Sequence, residues 1–261
     1  MCKTRIKFLL LFCLFFSKLI ALDEGYPVSA GVLASSSLSL LSVSPNSAMC
    51  NPAVAENGLS VSYAMPYSMH DLSISSLSYQ TKISSFSYGV GTKIIYQEDY
   101  NENLVYINAQ LIQNNIVLGA NFRYLRQEIE GYSSVNAVVA DIGLRWQFYD
   151  FQSSWRINNI CAEHYKYLEL PISYQTEFAY YLSGAALFCV GIEKKEDLAY
   201  AAGLKFDIVP NFQLINSYMF ESQQLAFGFN ARLQRYRIDY GVKFHTYLSP
   251  SHSISINYYF K

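Results

Sequence analysis

The sequence is poor in charge and has no surplus of basic residues. Charged residues make up 15% of the 261 residues, whereas roughly 25% is usual in soluble domains. The formal net charge is −1, so the chain lacks the basic footprint with which proteins bind nucleic acid. Nucleic acid is therefore excluded as a partner.

The usual patterns of catalytic and metal sites are also missing. The sequence has four histidines, scattered along its length: His70, His164, His245 and His252. No serine lies in a nucleophile-elbow pattern, and no group of histidines, cysteines and carboxylates has the spacing of metal ligands. These absences predict a protein that is not an enzyme and needs no cofactor or metal. Catalytic groups brought together from distant strands would leave no such motif, which keeps an enzyme as a minor alternative.

Cysteine is scarce as well. Beyond the N-terminal region only Cys50, Cys161 and Cys189 remain, an odd number without metal-like spacing. We interpret these three cysteines as small apolar residues rather than as parts of a site.

Long apolar runs are absent except near the N-terminus. There, three basic residues precede the apolar run FLLLFCLFF, and the small residue Ala21 follows it, as in a secretory signal peptide. We predict a signal peptide over residues 1–21 and a mature chain that begins at Leu22. A membrane anchor is the alternative, but it needs about 20 continuous apolar residues, and Lys18 interrupts this run.

Tyrosine and phenylalanine are abundant instead, with 23 and 17 residues. Aromatic side chains favour strands and suit surfaces that meet both apolar and wet surroundings. After Gly58, many segments of about ten residues alternate between apolar and polar positions, as in transmembrane barrel strands. The segment YRIDYGVKF, from 236 to 244, places Arg237, Asp239 and Lys243 on one face and only apolar or aromatic residues on the other, because strand side chains alternate with a period of two.

This alternation has two interpretations. A half-buried sheet of a soluble exported protein also alternates. In a membrane barrel, the apolar face meets lipid, tyrosine and tryptophan form interfacial girdles, and charges of both signs face the lumen. Because the apolar faces here are long and rich in tyrosine, we predict an all-β fold, an antiparallel transmembrane β-barrel of about 14 strands. The barrel domain is predicted to span residues 58–261.

The predicted barrel lies in the outer membrane of a Gram-negative-type cell envelope. Its expected partners are outer-membrane lipid and the barrel-assembly machinery, which favours a terminal aromatic residue such as Phe260 in the last segment, SHSISINYYF. The predicted strands span residues 58–67, 71–80, 82–96, 102–113, 115–130, 134–149, 152–161, 168–182, 185–196, 198–208, 212–220, 223–233, 235–247 and 251–260.

Ten charged residues on the polar faces are predicted to form a polar network in the lumen. They are Arg123, Asp141, Arg145, Glu177, Lys205, Asp207, Arg232, Arg237, Asp239 and Lys243. One role for such a network is a polar path or gate. The other is charge pairing that fills the lumen, which small filled barrels favour.

Three segments resemble the family that contains the long-chain fatty-acid transporters of the outer membrane and the PorV and PorQ proteins of type IX secretion. They are the tripeptide Asn51-Pro52-Ala53, the stretch RIDYGVKFHTYL at 237–248, and the stretch SPSHSISINYYF at 249–260. The resemblance implies that residues 22–57 form a plug or hatch inside the barrel and that Asn51, Pro52 and Ala53 form its turn. An ordinary turn is the alternative for this tripeptide.

The resemblance also implies a function. The first possible function is a passive conduit for small hydrophobic molecules. The alternative is a PorV-like scaffold that does not transport but docks secreted protein cargo or a secretion-system protein. The residues themselves leave both alternatives open.

Overall fold

The fold of the chain is a closed antiparallel barrel of 14 strands. A computed structural model describes residues 29–98, 100–131, 134–160 and 170–260. Each strand pairs with its neighbours in sequence, and the first strand closes the barrel against the last. The strands are β1 (Gly58–Met65), β2 (Ser73–Ile83), β3 (Phe86–Gln97), β4 (Tyr100–Gln113), β5 (Ile116–Ile129), β6 (Val135–Phe148), β7 (Phe151–Asn158), β8 (Ser173–Ser183), β9 (Ala186–Lys194), β10 (Leu198–Val209), β11 (Phe212–Met219), β12 (Gln224–Leu233), β13 (Tyr236–Phe244) and β14 (Ser251–Tyr259).

Helical structure in the described residues is short. Helix α1 spans Ala30–Ala34, and two 3₁₀ helices span Pro45–Met49 and Pro66–Ser68. Within the described ranges no helix has the length and apolar character needed to cross a membrane.

The predicted number of strands is confirmed, and most predicted boundaries differ from the observed ones by a few residues. The third strand begins at Phe86 rather than at Lys82. The reason is a tight turn at residues 84–85, across which Ile83 pairs with Phe86 and Lys82 pairs with Ser87. The eighth strand begins at Ser173. The predicted signal peptide, residues 22–28, the position of Cys161 and the predicted start at residue 168 lie outside the described residues.

The two ends of the barrel differ in their connections. At one end, which also holds the start of β1 and the end of β14, successive strands are joined by turns of only two residues, such as 114–115 and 234–235. At the other end most connections are longer, and the longest runs from 159 to 172. We call these the turn end and the loop end. Outer-membrane barrels have short turns on the periplasmic side and longer extracellular loops, so the turn end faces the periplasm.

The outer surface of the barrel is apolar and rich in aromatic residues. Outward side chains such as Val61 and Phe122 are exposed, the latter to 65%. At the turn end the rings of Tyr236 and Tyr258 are 5.1 Å apart, and those of Tyr258 and Phe260 are 5.7 Å apart. Such aromatic contacts form the girdle that barrels place at the membrane boundary.

The inside of the barrel is lined mainly by small and polar side chains, and residues 29–57 lie within it. This inner segment, as we call residues 29–57, contacts walls on opposite sides. The Ala30 backbone N–H donates to Ser255 Oγ of β14 at 2.8 Å, and the Ser39 hydroxyl donates to Glu177 Oε1 of β8 at 2.9 Å. Two of the buried hydrophobic clusters therefore combine residues of the inner segment with residues of the lumen wall.

Candidate functional site

The lumen wall approaches the inner segment closely at six glycines. They lie on β5, β6, β9, β10, β12 and β13: Gly119, Gly143, Gly191, Gly203, Gly228 and Gly241. A Cβ atom added at any of them would come within 3.0 Å of an atom of the inner segment. At Gly119 and Gly241 those atoms belong to the backbone of Pro52 and of Ala30, which cannot rotate away. At these two positions only glycine permits such an approach. We call the six glycines together the seat of the inner segment.

A cluster of four serines holds Asn46, which lies in the 3₁₀ helix of the inner segment. The Asn46 Nδ2 atom donates to Ser62 Oγ at 2.8 Å, to Ser60 Oγ at 3.0 Å and to Ser76 Oγ at 3.2 Å. The Ser78 hydroxyl donates back to Asn46 Oδ1. Ser60 lies opposite Ser78 and Ser62 opposite Ser76 in the register of β1 and β2, so alternation on two neighbouring strands builds the cluster.

The Asn51-Pro52-Ala53 tripeptide lies against the wall formed by β4 to β7. The Asn51 side chain donates to Ser154 Oγ at 2.5 Å and accepts from the Ala53 N–H at 3.0 Å. Two amides of β4 donate to the Pro52 carbonyl oxygen, Gln110 Nε2 at 2.8 Å and Asn108 Nδ2 at 3.1 Å. The tripeptide is thus a turn with hydrogen bonds to two strands, β4 and β7, and its role as a plug turn stays a prediction.

The predicted lumen residue Glu177 contacts the inner segment directly. Its carboxylate accepts from the Ser39 hydroxyl at 2.9 Å and from the Leu40 backbone N–H at 3.0 Å. The side chain is buried, with 1% of the residue exposed. Both oxygens of this carboxylate are therefore used to hold the inner segment.

Arg237 and Asp239 form a second buried contact with the inner segment. Arg237 Nε lies 2.8 Å from Asp239 Oδ1, and Asn257 Nδ2 donates to Asp239 Oδ2 at 2.8 Å. The Arg237 guanidinium also donates to the Val43 carbonyl oxygen at 2.9 Å, and it lies 3.9 Å from Glu56 Oε2. The arginine thus joins a buried carboxylate of the wall to the backbone of the inner segment.

The other predicted lumen charges lie apart from these contacts. Arg123 of β5 pairs with Asp141 of β6 at 2.6 Å and donates to Asn159 Oδ1 at 2.7 Å. This pair lies toward the loop end, where Asp141 also accepts from the Asn159 backbone N–H at 3.0 Å. It ties three neighbouring strands together rather than holding the inner segment.

The remaining five residues of the predicted polar network have other surroundings. Among the described residues, neither Arg145 nor Lys205 has a carboxylate within 4.0 Å. Asp207 accepts from an amide of β11 at 2.6 Å. Arg232 is exposed at the turn-end rim, where its guanidinium carbon lies 5.1 Å from the centre of an aromatic ring. Lys243 is buried on β13.

Sequence reasoning missed Arg156 and Asn46. Arg156 of β7 donates through Nη1 to the Cys50 carbonyl oxygen of the inner segment. Burial raises the pKa of the Cys50 thiol to about 11, so this cysteine is a neutral thiol at physiological pH.

The sequence did contain a signal for the site that binds Asn46, namely the serines at alternate positions of β1 and β2. Arg156 lies in a segment whose alternation is weak, with three successive buried residues, 152–154.

Near the loop end the lumen wall has apolar side chains along β1 to β6. Two clusters of inward residues form it. The first contains Ala64, Ile74 and Ile95, and the second contains Leu104, Tyr106, Leu125 and Ala137, together with Ala48 of the inner segment. The ion pair of Lys93 and Glu102, at 2.9 Å, lies between them in register. We call this surface the apolar wall; it extends from the loop end to the inner segment.

Comparison with known proteins identifies the fold. No family model matches the sequence, and no curated protein matches it. Solved structures do match. The CymD monoaromatic hydrocarbon channel has a TM-score of 0.65 and 11% identity, and the alignment covers 89% of this chain and 97% of that one. The Pseudomonas putida toluene transporter TodX has a TM-score of 0.61 and 12% identity, with 91% and 98% covered.

A third structure is the outer membrane protein Omp33 of Acinetobacter baumannii. Its TM-score is 0.53 at 11% identity, and the alignment covers 78% of this chain and 99% of that one. At such identities the likeness shows the fold. Together with the apolar outer surface and the aromatic girdle, it confirms the predicted outer-membrane β-barrel. The likeness to PorV and PorQ stays a prediction.

Proposed function

We propose that this protein is a passive conduit for small hydrophobic molecules across the outer membrane and that the inner segment closes it. The observation that carries this proposal is the apolar wall inside the lumen. A water-filled barrel has a polar interior. Apolar side chains on the inner face do not contact lipid, so the membrane does not explain their presence there. An apolar lining that begins at the extracellular end suits a molecule that must leave water to enter the barrel.

The structural likenesses support the same choice. CymD is described as a monoaromatic hydrocarbon channel and TodX as a toluene transporter. Both are barrels of the same fold, and neither description names an enzyme. A small hydrophobic substrate for the present chain is our proposal, supported by this likeness and by the residues of its own lumen.

The attachment of the inner segment suits a closure that can open. Its contacts with the wall are hydrogen bonds, the Arg237 contact and close packing, while Cys50 and Cys189, the cysteines of the described ranges, are free. No covalent link between these residues therefore has to break. The apolar wall reaches this segment at Ala48, so a molecule that follows the wall arrives at the closure.

The test of the substrate class is uptake by cells whose outer membrane is the permeability barrier. Replacing both Leu104 and Leu125 with asparagine should lower toluene uptake about tenfold, because a barrier increase of about 1.4 kcal/mol has that effect and polar groups in an apolar path cost at least this much. Uptake of a small sugar should not fall. Radiolabelled toluene and arabinose supplied to the same cells measure both quantities.

The matched control is Gln224→Asn, which places the same polar side chain at an inward position near the loop end of β12, on the side of the barrel opposite β5. It should leave toluene uptake unchanged. Equal toluene uptake by the double variant and the parent protein would contradict a hydrophobic conduit and leave the scaffold that docks secreted cargo as the better explanation.

A further inference from the structure

We propose that Glu177 is an acid-sensitive latch on the inner segment: its ionised carboxylate holds the segment in the lumen, and protonation of this carboxylate releases the part around Ser39 and Leu40. This inference rests on the proposed closure of the conduit by the inner segment. It adds a condition under which the conduit opens.

The geometry of the latch depends on the charge state of one group. An ionised carboxylate is only an acceptor, whereas a protonated one carries a hydroxyl that must donate. Glu177 accepts two hydrogen bonds from the inner segment, one on each oxygen. After protonation one of these oxygens becomes a donor, so the Ser39 hydroxyl has to turn and accept, and the Leu40 N–H donates to a neutral oxygen. The contact then loses a charge-assisted hydrogen bond, the stronger kind.

Glu177 differs in its surroundings from the other buried carboxylates of the lumen. Asp141 pairs with Arg123, and Asp239 pairs with Arg237, so each has an arginine as its ion-pair partner. Among the described residues, no basic nitrogen lies within 4.0 Å of the Glu177 carboxylate. At close range its two oxygens are held by hydrogen bonds, and those hydrogen bonds come from the inner segment.

The groups that face Glu177 from neighbouring elements are few. Arg156 of β7 acts on it from a distance, while its guanidinium is bound to the Cys50 carbonyl oxygen. The thiols of Cys50 on the inner segment and of Cys189 on β9 also face it. Gly191 lies directly opposite on β9 and receives Leu38. The rest of the surroundings is the apolar cluster of Leu38, Leu40 and Leu41 with β9 and β11, which stays packed around a neutral carboxyl.

The experiment measures hydrogen exchange at the Leu40 amide of the full chain in detergent between about pH 7.5 and about pH 4, the range in which glutamate takes up its proton. Rates are divided by the intrinsic exchange rate at each pH. Protection of Leu40 should fall about tenfold or more at the acid end, the loss expected for one hydrogen bond to a charged group. Protection of the barrel strands should not change.

Glu177→Gln supplies the matching variant, because its side chain is neutral at every pH and lacks the charge that strengthens the hydrogen bond from Leu40. Leu40 should be weakly protected in it at both pH values. The control is Glu102→Gln, whose carboxylate pairs with Lys93 away from the inner segment; it should keep the pH dependence of the parent chain. Acid-independent protection of Leu40 in the parent, or an unchanged pH dependence in Glu177→Gln, would overturn the latch.

Conductance recorded on the same samples separates this inference from the proposed function. Loss of Leu40 protection without any acid-induced conductance supports the latch and counts against the conduit. Acid-induced conductance with unchanged Leu40 protection supports a conduit and overturns the latch. The titration of the parent chain needs no variant, so the inference stays testable even if Glu177→Gln does not fold.

Discussion

Replacing Arg237 with methionine should lower the free energy of unfolding of the barrel by about 3–5 kcal/mol, the usual effect of removing one partner from a buried ion pair. The substitution leaves the Asp239 carboxyl group without its arginine and 1% exposed, with Asn257 as its remaining partner. It also removes the hydrogen bond to the Val43 carbonyl oxygen. Equilibrium unfolding in urea, followed by the mobility shift of folded barrels on gels, measures the effect.

Two further variants make this prediction specific. Arg126→Met removes an exposed arginine that pairs with Glu128, and such surface pairs contribute about 0–1 kcal/mol. Combining Arg237→Met with Asp239→Asn should restore part of the lost stability, because no unpaired charge is then buried. If Arg237→Met and Arg126→Met had the same small effect, the Arg237–Asp239 pair would not be the buried contact described above.

Valine at Gly119 should displace the inner segment while leaving the barrel closed. The added side chain would meet the backbone of Pro52, and overpacking of this kind costs about 1–3 kcal/mol. That cost shifts the balance between the seated and displaced segment by about 5-fold to 150-fold. Limited proteolysis should cut residues 29–57 faster in this variant, by a factor in that range.

Gly184→Val is the control for the glycine prediction. Gly184 lies in the turn between β8 and β9, and a Cβ there would have no neighbour within 4 Å. The rate of proteolysis should equal that of the parent chain. Equal rates for Gly119→Val and the parent would mean that the wall does not press on the inner segment at this glycine.

The strands were predictable because lipid outside and a polar lumen inside impose the same period of two on each strand. That the Asp239 side chain points into the lumen and the Tyr240 side chain points outward follows from that period alone. The exact ends of the strands were harder to predict, because a strand ends where its hairpin turn begins. Residues 84–85 form such a turn without the glycine or asparagine that usually marks one.

The partners of the lumen charges could not be predicted in the same way. Alternation says that a side chain points inward but not how deep it lies along the barrel or what lies opposite. Arg232 and Arg237 are directly paired across β12 and β13. Arg232 is exposed at the rim, whereas the Arg237 side chain is only 12% exposed and lies against Asp239. Depth depends on the register of all the strands together, which no single segment contains.

The path of the inner segment through the barrel could not be predicted from the sequence either. Its residues show no sustained period, because they are held by the wall at separate points. Asn46 contacts serines of two strands, while Gly203, far away in sequence, receives Leu41. The tripeptide Asn51-Pro52-Ala53 was found by resemblance, but the amides of β4 that bind Pro52 carried no recognisable pattern.

The most direct test of a conduit closed by the inner segment is planar-bilayer conductance of the folded mature chain, with and without residues 22–57. We expect a closed parent protein and discrete conductance steps once the segment is deleted, because the 14 strands form a closed barrel around the space that the segment occupies. Absence of conductance from both proteins, with folding verified by the gel mobility shift, would contradict a conduit closed by the inner segment. Equal conductance from both would contradict its role as the closure.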